Sequence, residues 1–368
     1  STPGQYVSIP EALEEVGELK KVYESSKQFK ELIDIGAELE GLPRHTSTHA
    51  AGVIISRDPL TKSVPLIRNE GQVSTQYPMA DLESVGLLKM DILGLRNLTV
   101  IKDTMALIKE NHNKTFDIDS IELTDQPTYE LLCRGEAMGV FQCESKGMRT
   151  LIKDLQPKVF EDVIALLALY RPGPLGSGMV QEFISNKSGE TDVKYDLPEL
   201  EPILKDTYGM IVYQEQVMQI ASVIGGFSLG QADMLRRAMG KKKKSVMDEM
   251  REEFLQGAGK KTLDVIKAAK VFDLCYKFAE YGFNKSHSAA YALISYQTAF
   301  LKANFPNEYM CALLSSVFGF TEKISQYIEE CTNMKIKVLS PDVNESRDDF
   351  TITSTGIRFG LKAIKNVG

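Results

Sequence analysis

The sequence contains no apolar run of about 18 residues, the length at which a segment becomes a candidate for a membrane-spanning helix. Residues 1–6 also lack the basic and apolar regions of a secretory signal. The five cysteines show no C-x-x-C spacing, which argues against both a zinc site and a disulfide framework. We therefore expect a soluble cytoplasmic protein that has reduced cysteines and no membrane partner.

A surplus of positive charge is also missing, because the net charge of the 368 residues is −7. This balance by itself argues against a polyanionic partner. Residues 231–290, however, carry 13 Lys and Arg against 8 Asp and Glu, so this segment is positive although the rest of the chain is strongly negative. Such a distribution is compatible with a local phosphate-binding face on an acidic protein.

The pattern of apolar residues predicts a mainly α fold with a small β-sheet portion, an α+β class, in two or three domains. A helical pattern over residues 8–41 opens with capping-box spacing, and breaks at Gly17 and at Ser25-Ser26 favour two shorter helices over one. Strand patterns follow at residues 52–56, 73–77 and 87–93, and weak ones return at residues 336–339, 350–353 and 357–359. The helices predicted between these two groups of strands are residues 127–134, 145–155, 160–170, 213–224, 228–239, 244–256, 262–278, 286–304 and 321–333.

One base and one acid, Lys89 and Asp91, interrupt the apolar strand pattern of residues 87–93, which predicts a buried strand. The two residues lie two positions apart, so their side chains leave the same face of the strand. A buried carboxylate is costly unless it is paired or bound to a metal ion. Two interpretations follow: Asp91 forms an ion pair with Lys89 or Arg96, or it is a metal ligand at the end of a strand.

Two histidines four residues apart, His45 and His49, precede the first strand. Metal binding is one interpretation of this spacing, but the small residues around them predict a loop rather than a helix. In a loop, ordinary packing is the main alternative. Contact between His49 and a phosphate or a strand of nucleic acid is another.

Two segments of the helical region combine glycine with polar residues. Arg171 precedes a Pro-Gly-Pro turn and a Gly-Ser-Gly helix start, where free backbone amides can bind an anion. A solvated arginine at a helix corner is the alternative there. Gln142 and Ser145 join a short apolar run to a helix, and they suit either contact with a base or sugar or ordinary capping.

Two further segments concentrate positive charge at helix ends. Arg236 and Arg237 end a helix just before the lysines of residues 241–244, which predicts binding to a phosphate chain, or else an ordinary solvated face. Residues 284–288 begin another helix, whose dipole favours an anion, although a capping serine beside a surface histidine is the alternative. The candidate phosphate-binding residues are Arg171, Arg236, Arg237, Lys241, Asn284, Lys285 and His287.

Six sequence blocks resemble the bacterial DNA polymerase III alpha subunit family, the C-family replicative polymerases, and the DnaE type more than the type that contains an exonuclease. They occur in the family's order from about residue 43 onward. The blocks are Lys-Met-Asp-Ile-Leu-Gly-Leu-Arg at 89–96, Phe-Gln-Cys-Glu-Ser at 141–145, Arg-Pro-Gly-Pro-Leu at 171–175, Tyr-Gln-Glu-Gln-Val at 213–217, Leu-Arg-Arg-Ala-Met-Gly-Lys at 235–241 and Tyr-Gly-Phe-Asn-Lys-Ser-His-Ser at 281–288.

The resemblance implies a fragment of such a polymerase. Residues 1–42 resemble the carboxyl end of the thumb, 43–95 the last strands of the palm and 96–368 the helical fingers. The family's palm carries three catalytic aspartates, of which Asp91 matches the third, whereas no P-D-x-D pair occurs in this sequence. The tandem helix-hairpin-helix and the other regions beyond the fingers are expected to be absent.

The chemistry implied by the resemblance is two-metal phosphoryl transfer from a dNTP to a primer 3′-hydroxyl. Asp91 would hold Mg²⁺ together with aspartates outside this chain, and Lys89 would lie beside the reacting phosphates. Because the paired aspartates are missing, the fragment alone is expected to be inactive. The cations are expected to share one concave face that grips the triphosphate: Arg171, Arg237, Lys241, Lys285 and His287.

The implied role is bacterial chromosome replication. The implied partners of the full subunit are primer-template DNA, dNTPs, the sliding clamp and other replisome subunits. Two alternatives stay open from the residues alone. One is a non-catalytic helical module that binds nucleic acid or nucleotides, and the other is a nucleotidyltransferase with a different palm, which would need two partner carboxylates near Asp91.

Overall fold

The computed structural model describes residues 7–42, 48–49, 51–69, 71–92, 94–240, 244–278, 282–364 and 366. The chain divides into two compact units, Ser1–Leu95 and Arg96–Gly368. Over the described ranges it is mainly helical, with short strands in small sheets. The predicted α+β class is therefore confirmed.

The first unit begins with three helices, α1 (Ile9–Glu15), α2 (Gly17–Ser25) and α3 (Lys27–Leu39). The predicted capping box is present: the Ser8 side chain accepts from the Glu11 amide, and the Glu11 carboxylate accepts from the Ser8 amide. Two helices were predicted for this segment, whereas the structure has three. Both predicted breaks end a helix, because Val16 and Ser26 adopt extended backbone.

The rest of the first unit contains β1 (Gly52–Ile55), β2 (Leu66–Asn69), β3 (Gln72–Thr75), α4 (Met79–Ser84) and β4 (Leu88–Asp91). The strands β1 and β4 pair antiparallel, and β2 and β3 form a second antiparallel pair. Strand β2 was not predicted. A small core around Val64, Leu82 and Leu87 supports the unit.

The prediction that β4 is buried was wrong. Leu88 and Met90 are 57% and 47% exposed, and they share the open face of the β1–β4 pair with Val53 and Ile55. A two-stranded sheet has its core on one side only, and the residues on that side are Ile54 and its partner Lys89. On the polar face of β4, Lys89 is thus mostly covered, whereas Asp91 stays exposed.

The second unit is built from helices. The described helices of this unit are α5 (Arg96–His112), α6 (Gln126–Cys133), α7 (Lys146–Leu155), α8 (Phe160–Leu169), α9 (Pro172–Gly176), α10 (Met179–Ser188), α11 (Glu201–Leu204), α12 (Gln214–Val223), α13 (Leu229–Gly240), α14 (Lys244–Lys260), α15 (Val265–Phe278), α16 (Lys285–Asn304), α17 (Pro306–Ser315) and α18 (Thr321–Asn333). All nine helices predicted for this region are present. They are α6, α7, α8, α12, α13, α14, α15, α16 and α18, and α5, α9, α10, α11 and α17 were not predicted.

For two of the helices that were not predicted, a simple physical reason explains why the sequence pattern did not indicate a helix. The Pro-Gly-Pro segment, predicted as a turn, forms α9, because a proline at the first helical position needs no amide partner. Helix α17 has no polar face that would mark a helical period, since residues 309–314 are all buried.

The long helix α16 lies at the centre of the second unit. It packs against α5, α6, α8 and α17, and its residues Ala292, Tyr296 and Ala299 belong to one hydrophobic core while Leu301 belongs to another. The predicted weak strands are β5 (Val338–Leu339), β6 (Thr351–Thr353) and β7 (Gly356–Arg358), in the order β5-β7-β6. Helix α16 therefore fixes the positions of the surrounding segments.

All five cysteines are free, as predicted. Burial raises the pKa of the thiols of Cys143, Cys275 and Cys311 to about 12, so these thiols stay protonated at neutral pH. Among the described helices, none combines the length and the apolar character that crossing a bilayer requires.

Candidate functional site

In the first unit, Asp91 lies at the end of β4 opposite Gly52 of β1. Its Oδ1 is 2.7 Å from Lys89 Nζ, so the two side chains lie on one face of the strand as predicted. His49 joins them, with Nδ1 3.8 Å from the same oxygen. A Cβ on Gly52 would lie only 2.8 Å from Lys89 Cε. Glycine at this position therefore leaves room for the cluster.

A hydrogen bond from Lys89 lowers the pKa of Asp91, partial desolvation opposes this shift, and the charges of Lys89 and His49 add to it. The carboxylate is thus ionised at neutral pH. Lys89 is only 12% exposed, so its ammonium group is held against Asp91 rather than moving freely in solvent.

The Lys89→Met variant of the 368-residue chain is expected to raise the pKa of Asp91 toward its ordinary value, because the main cause of the lowered pKa is removed. The Asp91 carboxyl chemical shift, followed by NMR in a pH titration, measures the effect. The Lys62→Met variant serves as the control, since Lys62 pairs with the distant surface residue Asp58. An unchanged Asp91 titration in Lys89→Met would contradict the assigned cause.

The described residues do not make a magnesium site on their own. They contain no group of three His, Cys, Asp or Glu side chains that could hold a metal ion. Asp91 supplies a single carboxylate, and Lys89 already occupies one of its oxygens. The ion pair is thus the interpretation of Asp91 that the geometry supports directly. Metal binding at Asp91 stays a prediction that needs ligands from elsewhere.

In the second unit, a cavity of about 760 Å³ opens beside the first turns of α16. This volume lies in the range typical of small-molecule sites. Four of the residues singled out in the sequence line it, although they come from three separate segments of the chain. They are Gln142, Ser145, Arg171 and His287.

Arg171 lies against the aromatic side of this cavity. Its guanidinium lies 4.3 Å from the centre of the Phe283 ring, and its Nε donates to the carbonyl oxygen of Ala168 at 2.8 Å. Burial lowers its pKa from the usual arginine range. The Phe283 ring in turn lies 5.5 Å from the His287 ring, which lies 4.5 Å from that of Tyr291. The cavity thus combines positive charge with a row of aromatic rings in edge-to-face and tilted contact.

The segment that carries Gln142 is held rigidly. Gln142 has a φ of 58°, which is unfavourable for a residue with a side chain. The amide of its neighbour Phe141 donates to Thr298, and the carbonyl of Phe141 accepts from Ser295. These buried hydrogen bonds to α16 maintain the unusual backbone. Ser145 caps α7 and also donates to the hydroxyl of Tyr170 at 3.4 Å.

Lys302, which was not singled out in the sequence, stabilises the residues just before this segment. The Lys302 side chain is completely buried, and its Nζ donates to the carbonyl oxygens of Glu136 and Met138 at 2.7 and 2.8 Å and to the carboxylate of Glu330 at 2.5 Å. Burial lowers its pKa, although Glu330 opposes the shift. The available signal was a lysine within the apolar pattern of residues 299–303.

Family comparisons agree along both units. Residues 97–262 match the model for the bacterial DNA polymerase III alpha subunit finger domain, and residues 2–94 match the model for the bacterial DNA polymerase III alpha NTPase domain. The DNA polymerase III alpha subunit of Borreliella burgdorferi is 50% identical over 99% of this chain and 32% of its own length. Those of Bacillus subtilis and Thermus aquaticus are 48% and 47% identical, over 100% and 99% of this chain and 33% and 30% of their own lengths. The chain belongs to the bacterial DNA polymerase III alpha subunit family.

The chain spans about a third of the length of these polymerase III alpha relatives. A third model, the helix-hairpin-helix motif, matches residues 335–368. This match corrects the expectation that no part of that region is present. The described part of the match holds β5, β6 and β7 rather than a pair of helices. The division into thumb (1–42), palm (43–95) and fingers (96–368) stays a prediction.

Not all predicted phosphate ligands of this polymerase III alpha chain lie in the cavity. Arg236, Arg237 and Lys285 are not among the described residues that line it, and Arg236 and Arg237 both bind Asp233, at 2.8 Å each. The single concave face shared by all five cations stays a prediction. The Arg237 side chain is nevertheless 68% exposed, which places the pair on the surface and not in the core. Arg236 also donates to Gln214 at 3.2 Å. Lys241 lies outside the described residues.

The start of α16 differs from its prediction. The helix begins at Lys285, and the cap is Asn284, whose Oδ1 accepts from the His287 amide at 2.9 Å. The Lys285 amide donates to the Glu215 carboxylate at 2.8 Å. The anion at this helix start is therefore the protein's own Glu215, 70 residues away in sequence. The Lys285 ammonium lies 5.4 Å from the centre of the Tyr213 ring.

Proposed function

We propose that this chain is part of a DNA-directed DNA polymerase, which transfers nucleotides from dNTPs to a primer 3′-hydroxyl during bacterial chromosome replication. The observation that carries the proposal is the cavity beside α16, in which Arg171 and His287 lie against aromatic rings. Family membership supports the choice of a polymerase over other nucleotide-binding proteins.

The cavity suits an incoming dNTP in both charge and shape. Arg171 offers a cation to a phosphate group, and the rings of Phe283, His287 and Tyr291 offer surfaces for stacking. Gln142 and Ser145 bring hydrogen-bonding groups to the same space. Bases are distinguished by pairing with the template, so the protein needs shape and backbone contacts rather than base readout.

The exposed cations near Gln214 form a second proposed phosphate contact. Arg236 is joined to Gln214, and the Gln214 amide donates to the carbonyl oxygen of Phe283 at 2.8 Å, next to Arg171. A phosphate group can compete with Asp233 for Arg237, because the Arg237 side chain is largely exposed. In this proposal Lys285 adds charge nearby, and Asn284 caps the helix by accepting from the His287 amide. Lys241, which lies outside the described residues, stays a predicted phosphate contact.

Asp91 is proposed as the carboxylate that this chain contributes to the catalytic centre, with Lys89 and His49 beside it. We propose divalent metal use for the full subunit in general terms. The described residues do not hold a metal ion by themselves. Primer-template DNA, the sliding clamp and other replisome subunits are proposed partners of the full subunit.

The 368-residue chain alone is expected not to extend a primer, because it offers Asp91 without the paired aspartates of the P-D-x-D motif. Gel analysis of a labelled primer-template with all four dNTPs and Mg²⁺ measures this. A full-length alpha subunit in the same buffer is the positive control. Extension that co-purifies with the chain and disappears in its Asp91→Asn variant would contradict the expectation.

A second candidate is a non-catalytic module that binds nucleic acid or nucleotides. The observation in its favour is the Lys89–Asp91 ion pair, which satisfies Asp91 without any metal ion. The two candidates differ in what the full subunit needs from Asp91. The module requires the cations and the cavity but not the carboxylate, whereas the polymerase requires all of them.

A further inference from the structure

We propose that three cations on α7, Lys146, Arg149 and Lys153, bind the sugar-phosphate backbone of single-stranded DNA beside the cavity. These three residues are called the α7 stripe. They occur at positions i, i+3 and i+7, which place them along one side of a helix. The opposite side of α7 is buried in the core through Met148, Leu151, Ile152 and Leu155. The stripe is thus a fixed row of charge on a well-anchored helix.

The α7 stripe has no acidic partners among the described residues. Neighbouring cations are paired: Arg134 with Glu136, and Lys323 with Glu144. Within the described ranges, by contrast, no carboxylate lies within 4 Å of a charged group of the stripe. The charge of Lys153 contributes only weakly to the lowered pKa of Glu136, whose main cause is the hydrogen bond from Arg134.

Arg149 provides a second, independent observation. Its Nε is buried and has no hydrogen-bond partner in the described part of the chain. A buried polar group without a partner costs free energy, which a protein usually avoids. The outer nitrogens of the Arg149 guanidinium are not buried, and no hydrogen bond or ion pair joins them to another described residue, so they can bind an arriving acceptor. A phosphate oxygen is the acceptor that arginine binds best.

The position of α7 points to the kind of partner. Its cap Ser145 and its buried residue Met148 both line the cavity, so the stripe begins at the cavity rim and leads away from it. From Lys146 to Lys153 the helix rises about 10 Å, enough for roughly two or three phosphates of one strand. A row of cations that leads to aromatic rings is the usual arrangement for binding single strands.

This inference rests on the proposed function, because the strand is taken to be the template next to the nucleotide cavity. Binding to the stripe can nevertheless be measured without nucleotide and without primer extension. Failure of the polymerase proposal would leave such binding intact. If the stripe substitutions did not change DNA binding, only the stripe proposal would fail, and the polymerase proposal would be unaffected.

The test is fluorescence anisotropy of labelled oligo(dT) with the 368-residue chain, comparing wild type with the Lys146→Gln/Arg149→Gln/Lys153→Gln variant. We expect at least about tenfold weaker binding and a salt slope that is smaller by about 2, since each phosphate contact on a single strand contributes about 0.7. If the triple variant folds poorly, the Lys146→Gln/Lys153→Gln variant replaces it, because it changes exposed residues only. It should give about two thirds of the change in slope. Circular dichroism reports folding.

The matched control is Lys109→Gln/Lys114→Gln/Lys205→Gln, which removes the same charge from exposed positions of the same unit outside the positive segment of residues 231–290. It should leave the slope nearly unchanged. Equal losses in both triple variants, or no loss in the stripe variants, would overturn the proposal. So would a loss seen only with blunt duplex DNA, or competition by poly-glutamate as strong as that by unlabelled oligo(dT).

Discussion

The Asp91→Asn variant of an alpha subunit that contains this chain is expected to extend primers at least about a thousandfold more slowly than wild type. Asparagine keeps the size of the side chain and one acceptor oxygen but removes the charge. A thousandfold loss corresponds to about 4 kcal/mol of transition-state stabilisation, a reasonable value for a charge that acts at the reacting centre. Single-turnover primer extension at saturating dNTP measures this rate.

The matched control for this variant is Asp58→Asn. Asp58 lies in the same unit and also pairs with a lysine, Lys62, but it does so on the open surface. Its substitution should change extension by less than about twofold, because exposed ion pairs contribute little. If Asp91→Asn extended primers as fast as Asp58→Asn, Asp91 would be a structural ion-pair residue and the non-catalytic candidate would gain.

The Arg171→Ala variant of the same subunit is expected to raise the KM for dNTPs about ten- to a hundredfold. Loss of a charged hydrogen-bonding group costs about 1.5–3 kcal/mol, which gives this range. The affinity for primer-template should stay nearly unchanged, because the proposed target of Arg171 is the triphosphate. Steady-state extension at varied dNTP, together with primer-template binding by anisotropy, separates the two effects.

Two further variants make this result specific. The Arg251→Ala variant removes a surface arginine of the same unit, paired with Asp273 at 3.2 Å, and should leave the KM unchanged. The Arg171→Lys variant keeps the charge but loses the planar group that stacks on Phe283. An intermediate KM for Arg171→Lys would support a combined charge and stacking role. A wild-type KM for Arg171→Ala would remove Arg171 from the nucleotide site.

Local patterns predicted the features that depend on local geometry. Lys89 and Asp91 share a face because the strand repeats every two residues, and the structure brings their charged groups to 2.7 Å. The Asp233–Arg237 pair has the same local origin, a spacing of four residues on a helix, but it was not predicted, because Arg237 was assigned to a phosphate. Ser8 and Glu11 form the capping box that their spacing indicates.

Features that depend on distant segments were not accessible in this way. The exposure of Leu88 and Met90 is decided by how many layers cover the β1–β4 pair, which their apolar character does not reveal. The Glu215 carboxylate accepts from the Lys285 amide although the two residues lie 70 positions apart in sequence. The sequence could therefore predict that the helix start attracts an anion, but not that this anion is a carboxylate of the same chain. Tertiary packing decides both outcomes.

The cavity combines both cases. Gln142, Arg171 and His287 were each singled out by a local signal, a turn or a helix end, yet the packing of the surrounding segments against α16 brings them together. The buried bonds from Ser295 and Thr298 that hold this arrangement lie on α16, more than 150 residues from Phe141. The members of the site were therefore predictable in part, but their common location was not.

Photo-cross-linking of a dNTP that carries an aryl azide on its base tests the central claim most directly. The full-length subunit is irradiated with primer-template and the analogue, and the modified peptides are mapped by mass spectrometry. The account predicts adducts within residues 139–145 or 283–291, which unlabelled dNTP suppresses and which Arg171→Ala reduces. Adducts confined to other segments of the chain, with the same sensitivity to unlabelled dNTP, would contradict the assignment of the cavity as the nucleotide site.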